Sequence, residues 1–179
     1  KTLTFSGPLA SLDGNTPTVE GTNIGSSQSV TFSSGVSNTN AATLTAYKAE
    51  STTVDVSDGS IDSTGNTSYD LDLTVNPASA SSLRVTGTAS MTAGATNELT
   101  VKAHDAYGNI ATGYTGSHDL TFSGLSNATT GEVPTVEAVN QASAVTITFT
   151  SGVSATNGLT LIAYKAESAS VDVTDQTLD

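Results

Sequence analysis

The sequence predicts an all-β chain built as tandem antiparallel β-sandwiches, and three observations predict it. Apolar residues recur at alternate positions in short segments separated by turn formers, the period of half-buried strands. No segment holds a helical period over a useful length. The chain also repeats itself: Leu3 to Asp62 lies over Leu120 to Asp179 without a gap, at an offset of about 117 positions, with about 33 of 60 pairs identical. The identical stretches include LTFSG (Leu3 to Gly7, Leu120 to Gly124), PTVE (Pro17 to Glu20, Pro134 to Glu137), SGVS and YKAES (Tyr47 to Ser51, Tyr164 to Ser168). A period of this length is that of a whole domain, not of a solenoid unit of about 20 to 50 residues.

The strands follow in order through the second copy. Leu83 and Val85 alternate in a first strand; Leu99, Val101 and Ala103 alternate in the next, with Thr100, Lys102 and His104 on its other face. DAYGN (Asp105 to Asn109) breaks the alternation and predicts a turn, since Gly108 tolerates a positive φ and Asp and Asn bond nearby backbone. Leu120 and Phe122 form the next strand, followed by the short segment PTVEAV. Val145, Ile147 and Phe149 give the cleanest period-two run, then Leu159, Leu161 and Ala163, and finally Val171 and Val173. In the first copy a closing strand follows, in which Leu71, Leu73 and Val75 alternate with Asp70, Asp72 and Thr74.

Asn76 and Pro77 stop that strand, because proline cannot extend a central ladder. The expected organisation is a domain over residues 1–76 without its opening strands, a linker at 77–80, and a domain over 81–179 without its closing strand. On this reading the chain is a window cut from a longer array. A sandwich short of a strand exposes apolar surface and an unpaired edge, to be covered by neighbouring chain or by another subunit.

Composition narrows the function. The chain has 17 Asp and Glu against 5 Lys and Arg, a net charge of −12, and no Cys. Nucleic acid is excluded as an expected partner, since phosphate binding needs clustered cations, and an anionic membrane surface is disfavoured for the same reason. No apolar run reaches the roughly 18 residues of a membrane span, so direct membrane insertion is not expected. The absence of Cys removes disulfide and thiol chemistry without fixing the compartment.

Thr92 to Gly116 (TAGATNELTVKAHDAYGNIATGYTG), the YKAES and SVDVTD segments and LTVNPAS (Leu73 to Ser79) together resemble the bacterial immunoglobulin-like repeats of large surface and secreted proteins, a group similar to invasin-type domains. The resemblance spans essentially the whole chain. It implies an immunoglobulin-like sandwich of seven or eight strands per repeat, placed outside the cell or on its surface, acting as spacer, stalk or adhesive arm.

Enzymatic chemistry is not expected. The chain lacks GxSxG, HExxH, a P-loop and a Cys nucleophile. His104 and His118, beside Asp105 and Asp119, are expected to be surface histidines at strand ends. Asp105, Asn109, Asp175 and Asp179 make a candidate calcium site at one pole of the second copy, because calcium takes six to eight oxygen ligands from carboxylates and carbonyls. Asn66 in NTS and Asn127 in NAT are candidate N-glycosylation acceptors in predicted loops. Tyr164, Lys165 and Glu167 of YKAES are expected to shape a strand edge with both charges solvated.

The function expected is therefore that of an extracellular structural repeat, without catalysis, in a stalk, filament, surface layer or adhesin. Its partners would be neighbouring repeats of the same protein, or like subunits in a fibre or layer. Two alternatives stand beside it. One is an adhesive module for a host or surface glycan or protein, which clustering of Tyr69, Tyr107 and Tyr114 on one face would favour, the four Phe being expected inside. The other is a fibre subunit completed by strand donation.

Overall fold

The computed structural model describes residues 1–178; Asp179, one of the candidate calcium ligands, lies outside the described residues. The described residues form strands and turns and no helix, and every strand pair is antiparallel. Backbone proximity divides them into two units, Lys1–Pro77 with Tyr107–Asn109, and Ala78–Ala106 with Ile110–Asp179. The turn DAYGN is thus split between the two.

The first unit contains β1 (Thr2–Ser6), β2 (Thr18–Val19), β3 (Thr22–Asn23), β4 (Ser27–Ser29), β5 (Phe32–Ser33), β6 (Val36–Ser37), β7 (Leu44–Thr45), β8 (Glu50–Ser57) and β9 (Leu71–Val75). They form three separate sheets, in the orders β4-β1-β8-β9, β3-β2-β7 and β5-β6. The predicted closing strand is β9, which runs antiparallel to β8 from Val54↔Leu71 to Glu50↔Val75.

The second unit contains β10 (Ser82–Thr86), β11 (Thr96–His104), β12 (Gly116–Ser123), β13 (Thr135–Val136), β14 (Val139–Asn140), β15 (Ala144–Thr150), β16 (Val153–Ser154), β17 (Leu159–Ile162) and β18 (Asp172–Thr174). Here all nine strands join in one continuous sheet, β14-β13-β17-β11-β16-β15-β12-β18, with β10 on β11. The joining strand is β11. Its first half pairs β17, from Thr96↔Ile162 to Leu99↔Leu159, and its second half pairs β10 and meets β16 at Lys102↔Val153. A strand that changes partners midway turns a corner between two layers. The layers enclose Leu99, Val101, Leu120, Phe122, Val136, Ile147, Phe149, Leu161 and Val173, which makes the unit sandwich-like. On the other face of β11 Thr100 is also buried, and its Oγ1 accepts the Asn157 amide at 2.7 Å.

Sequence identity between the copies maps onto geometry. The two-residue loops Ser34-Gly35 and Ser151-Gly152 both have two positive φ values (52° and 84°, 49° and 81°), the type I′ turn whose twist matches a hairpin. The loop Glu20-Gly21 takes the same form, and so does Glu137-Ala138, where Ala138 is held at φ 61°. The glycine that ends LTFSG is required by close approach: a Cβ on Gly7 would lie 1.9 Å from the Thr53 carbonyl oxygen, and one on Gly124 would lie 2.1 Å from that of Ser170.

Gly124→Ala should therefore destabilise the second unit by about 2–4 kcal/mol, summing left-handed strain and overlap with backbone. Gly113→Ala, where a Cβ meets nothing within 4 Å, should change it by less than about 0.5 kcal/mol. Ala138→Gly should raise stability by up to about 1 kcal/mol by relieving the left-handed backbone. Urea unfolding followed by circular dichroism measures all three.

Candidate functional site

The motif glutamates each close a loop, Glu20, Glu137 and Glu167 from exposed positions and Glu50 from a half-buried one. In YKAES, Glu50 Oε1 accepts the Leu9 amide at 2.7 Å and Oε2 pairs Lys48 Nζ at 2.9 Å. In the second copy Glu167 Oε1 accepts the Ser126 amide at 2.7 Å and Oε2 pairs Lys165 at 3.1 Å. The glutamate of PTVE acts likewise: Glu20 accepts the Thr43 amide at 2.5 Å and Glu137 the Thr160 amide at 2.6 Å. These partners sit at the repeat offset from one another, so the recurrence preserves pairs. Hydrogen bonds to the ionised form explain why Glu20, Glu50 and Glu167 are more acidic than usual. The Thr43 amide lowers Glu20, and the Ser126 amide followed by Lys165 lowers Glu167; for Glu50, burial pushes upward but the Leu9 amide and Lys48 outweigh it.

The described residues of the candidate calcium site, Asp105, Asn109 and Asp175, are each engaged in hydrogen bonds to the protein itself. Asp105, 3% exposed, accepts the Ala78 amide through Oδ2 at 2.9 Å within the second unit. Asn109, within the first unit, receives the Ala49 amide on Oδ1 and donates through Nδ2 to the Tyr47 carbonyl, each at 2.8 Å. Asp175 accepts Tyr114 Oη at 2.8 Å, and its other oxygen caps the turn through the Thr177 and Leu178 amides at 2.9 and 2.6 Å. Among the described residues no three His, Cys, Asp or Glu side chains gather as a metal would require.

Tyr114 and Asp175 form the most elaborate polar contact of the second unit, and the sequence reading did not pair them. The Tyr114 ring stacks on His118 at 3.8 Å between centroids and meets Phe149 edge-on at 4.8 Å. His118 is thereby half-buried against rings, with Nε2 3.1 Å from the Thr115 carbonyl oxygen. His104 ends β11 opposite Ser82. Burial and the Asp175 carboxylate drive the Tyr114 hydroxyl pKa far upward. Burial pushes Asp175 up, but the hydrogen bonds from Tyr114 and the turn amides outweigh it and hold it below the usual range.

The first unit lacks this arrangement, and one expectation fails as a result. Phe149 is 2% exposed, whereas its counterpart Phe32 is 41% exposed, because no aromatic or strand of the first unit lies over it. Leu3, Phe32, Val56, Asp58, Ile61 and Tyr69 border an apolar groove of about 560 Å³. The three tyrosines considered as a platform have separate surroundings. Tyr69 is exposed beside the groove, Tyr107 packs against Tyr47 at 5.0 Å within the first unit, and Tyr114 occupies the stack just described. Asn66 and Asn127 are both exposed outside strands, with Asn66 Oδ1 accepting the Ser68 amide at 3.2 Å. Among the described residues no helix is long and apolar enough to cross a membrane.

No protein-family model, curated protein or solved structure matches the chain. What the fold defines is an all-β, antiparallel, sandwich-like chain with an internal repeat.

Two measurements check the site. Tyr114→Phe should cost the second unit about 1–3 kcal/mol, the worth of a hydrogen bond to a charged acceptor. Because its folded pKa is raised, the contribution of Tyr114 is complete below the unfolded value near 10 and fades only as pH rises toward the folded one. Spectrophotometric titration should therefore show a phenol that ionises only as the unit unfolds, and the Phe variant should lack that phase. The lowered Glu167 has the opposite sign: its contribution is present above the unfolded value near 4.3 and is lost as pH falls through the folded one. Glu167→Gln should flatten the acid limb of the stability curve measured by urea unfolding.

Proposed function

We propose that this chain is a structural repeat segment of a larger extracellular protein, an immunoglobulin-like spacer in a stalk, filament, surface layer or adhesin arm. The single observation that carries this reading is where sequence identity between the copies falls. The retained residues hold loops and hairpins: Glu20 and Glu137 on amides of the following copy-equivalent strand, Glu50 and Glu167 on the loop after LTFSG, Gly7 and Gly124 under a carbonyl. A repeat whose invariant positions rebuild the same framework twice supplies length and stiffness. The net charge of −12 supports solubility in the open and repulsion between parallel copies. Scarce Lys and Arg, 5 in all, leave few sites for trypsin-like proteases.

The alternative of an adhesive module draws support only from Tyr69, 71% exposed beside an apolar groove. One experiment separates the two. Antibody raised against this chain is used for immunogold microscopy of intact source cells, and the purified chain is applied to a glycan and matrix-protein array. Labelled projections or layers outside the cell, with an array signal no different from buffer, are expected. Label confined to the cell interior overturns the structural reading, and array binding removed by Tyr69→Ala transfers the function to adhesion.

A further inference from the structure

The loop between β16 and β17, residues 155–158, carries the one Asn-Gly pair of the chain, Asn157-Gly158. Both residues are exposed, and Asn157 is held in the left-handed region at φ 49°. Its main-chain N–H donates to Thr100 Oγ1 at 2.7 Å, whereas among the described residues nothing bonds its side-chain amide. Asn97 and Asn109 differ in each respect: both are buried, both side-chain amides are bonded, and Glu98 and Ile110 follow them. A free side-chain amide beside an unsubstituted main-chain nitrogen is a pair of reactants already in one place.

The first copy supplies an internal reference. Asn40-Ala41 stands at the repeat offset, with Asn40 exposed and likewise left-handed at φ 58°. The turn bond recurs as well: the Gly158 N–H donates to the Ala155 carbonyl at 3.2 Å, and the Ala41 N–H to that of Asn38 at 3.1 Å. The two loops thus share the asparagine's conformation and exposure and differ at the residue after it. The Ala41 methyl shields its nitrogen and restricts its backbone, and glycine does neither. Both turn bonds lie at the long end of the N–H···O range in surface loops, where local opening costs little.

We propose that Asn157-Gly158 is a self-modifying site, at which Asn157 deamidates and the product loosens the hold of the β16–β17 loop on β11. The Gly158 nitrogen gives its proton to solvent and attacks Asn157 Cγ. The Cγ–Nδ2 bond breaks, and the departing amide takes a proton back from solvent and leaves as ammonia, closing a five-membered succinimide. Water then opens the ring. Addition at Cγ breaks the new Cγ–N bond and yields aspartate; addition at the main-chain carbonyl carbon breaks the original peptide bond and yields isoaspartate, in which the chain runs through Cγ. The balance is a water taken up and an ammonia released, with no redox change. Both products add a negative charge, and isoaspartate also adds a carbon to the main chain. The ends of this loop are fixed on β11, Ser154 Oγ by the Val101 amide at 2.9 Å and Leu159 by its pairing with Leu99. A longer main chain between fixed ends moves the Asn157 N–H off Thr100 Oγ1. The inference goes beyond the spacer reading and does not rest on it.

The test ages the whole chain in mildly alkaline buffer at physiological temperature and reads Asn157 and Asn40 by peptide mass spectrometry, with an isoaspartate-specific methyltransferase to tell isoaspartate from aspartate. Conversion at Asn157 at least about tenfold faster than at Asn40 is expected, the ratio that a barrier lower by about 1.4 kcal/mol gives. Ala41→Gly should raise the rate at Asn40 by a similar factor. That gain is the sharper variant, because a Cβ on Gly158 would lie 2.6 Å from that of Ala155, so Gly158→Ala would disturb the loop itself. The converted fraction, separated by its extra charge on an ion-exchange column, should unfold at lower urea than the unconverted one. If Asn157 stays intact while a synthetic peptide 153–161 converts, the fold protects the pair and the proposal is overturned. Equal rates at Asn40 and Asn157, or no acceleration by Ala41→Gly, also overturn it. A converted fraction with an unchanged urea midpoint overturns the loosening of β11.

Discussion

Strand β11 is the constraint on which the second unit depends. Its first half bonds β17 and its second half bonds β10 and β16, so a single nine-residue segment makes one sheet of what would be two. Its inward side chains, Leu99, Val101 and Ala103, are at most 3% exposed and fill the centre of the core. Its outward Thr100 and its main chain are bonded by Asn157 and Ser154 from the far side of the hairpin. The first unit shows the same architecture without such a strand: three sheets where there was one, and a phenylalanine drawn from the interior to the surface.

The fold was legible wherever side chains alternate strictly between water and core. Val145, Ile147 and Phe149 announced β15, because period-two burial leaves a direct trace in residue type, and the alternation of Leu71, Leu73 and Val75 announced β9 although Leu71 is exposed. The two-residue strands β6 and β16 left none, since SGVS reads as turn sequence and only pairing across the type I′ loop makes it a hairpin. Phe32 was misplaced for a physical reason. Its pattern encodes a buried position, and that pattern is satisfied only when a strand from elsewhere in the repeat covers it.

The polar contacts were less legible than the strands. Identity between copies drew attention to YKAES and PTVE, but sequence gives no sign that Glu50 reaches the Leu9 amide about 40 residues away, or that Glu20 reaches Thr43. Asp175 was read as a calcium ligand from its residue type, whereas its oxygens are used by Tyr114 and by the turn it caps. An acidic residue in a turn offers the same atoms to a metal and to backbone amides, and only coordinates tell which takes them. The offset between copies was the one signal that could have found the glutamate clamps, since each pair is preserved together with its partner.

The position of β11 in the chain also sets an order of events. It precedes its partners Val153 and Leu159 by about 50 to 60 residues, so when it leaves the ribosome β10 is the one partner strand already made. At about 5–20 residues per second, the edge that β16 and β17 will cover waits several seconds for them. Contacts this distant in sequence form slowly, after the entropy of closing a long loop has been met. In a chain of repeats alike at about 33 of 60 positions, the waiting strand is a match for more than one groove. Synthesis in a fixed direction then does what sequence cannot, by presenting each opening strand to the partners that emerge next.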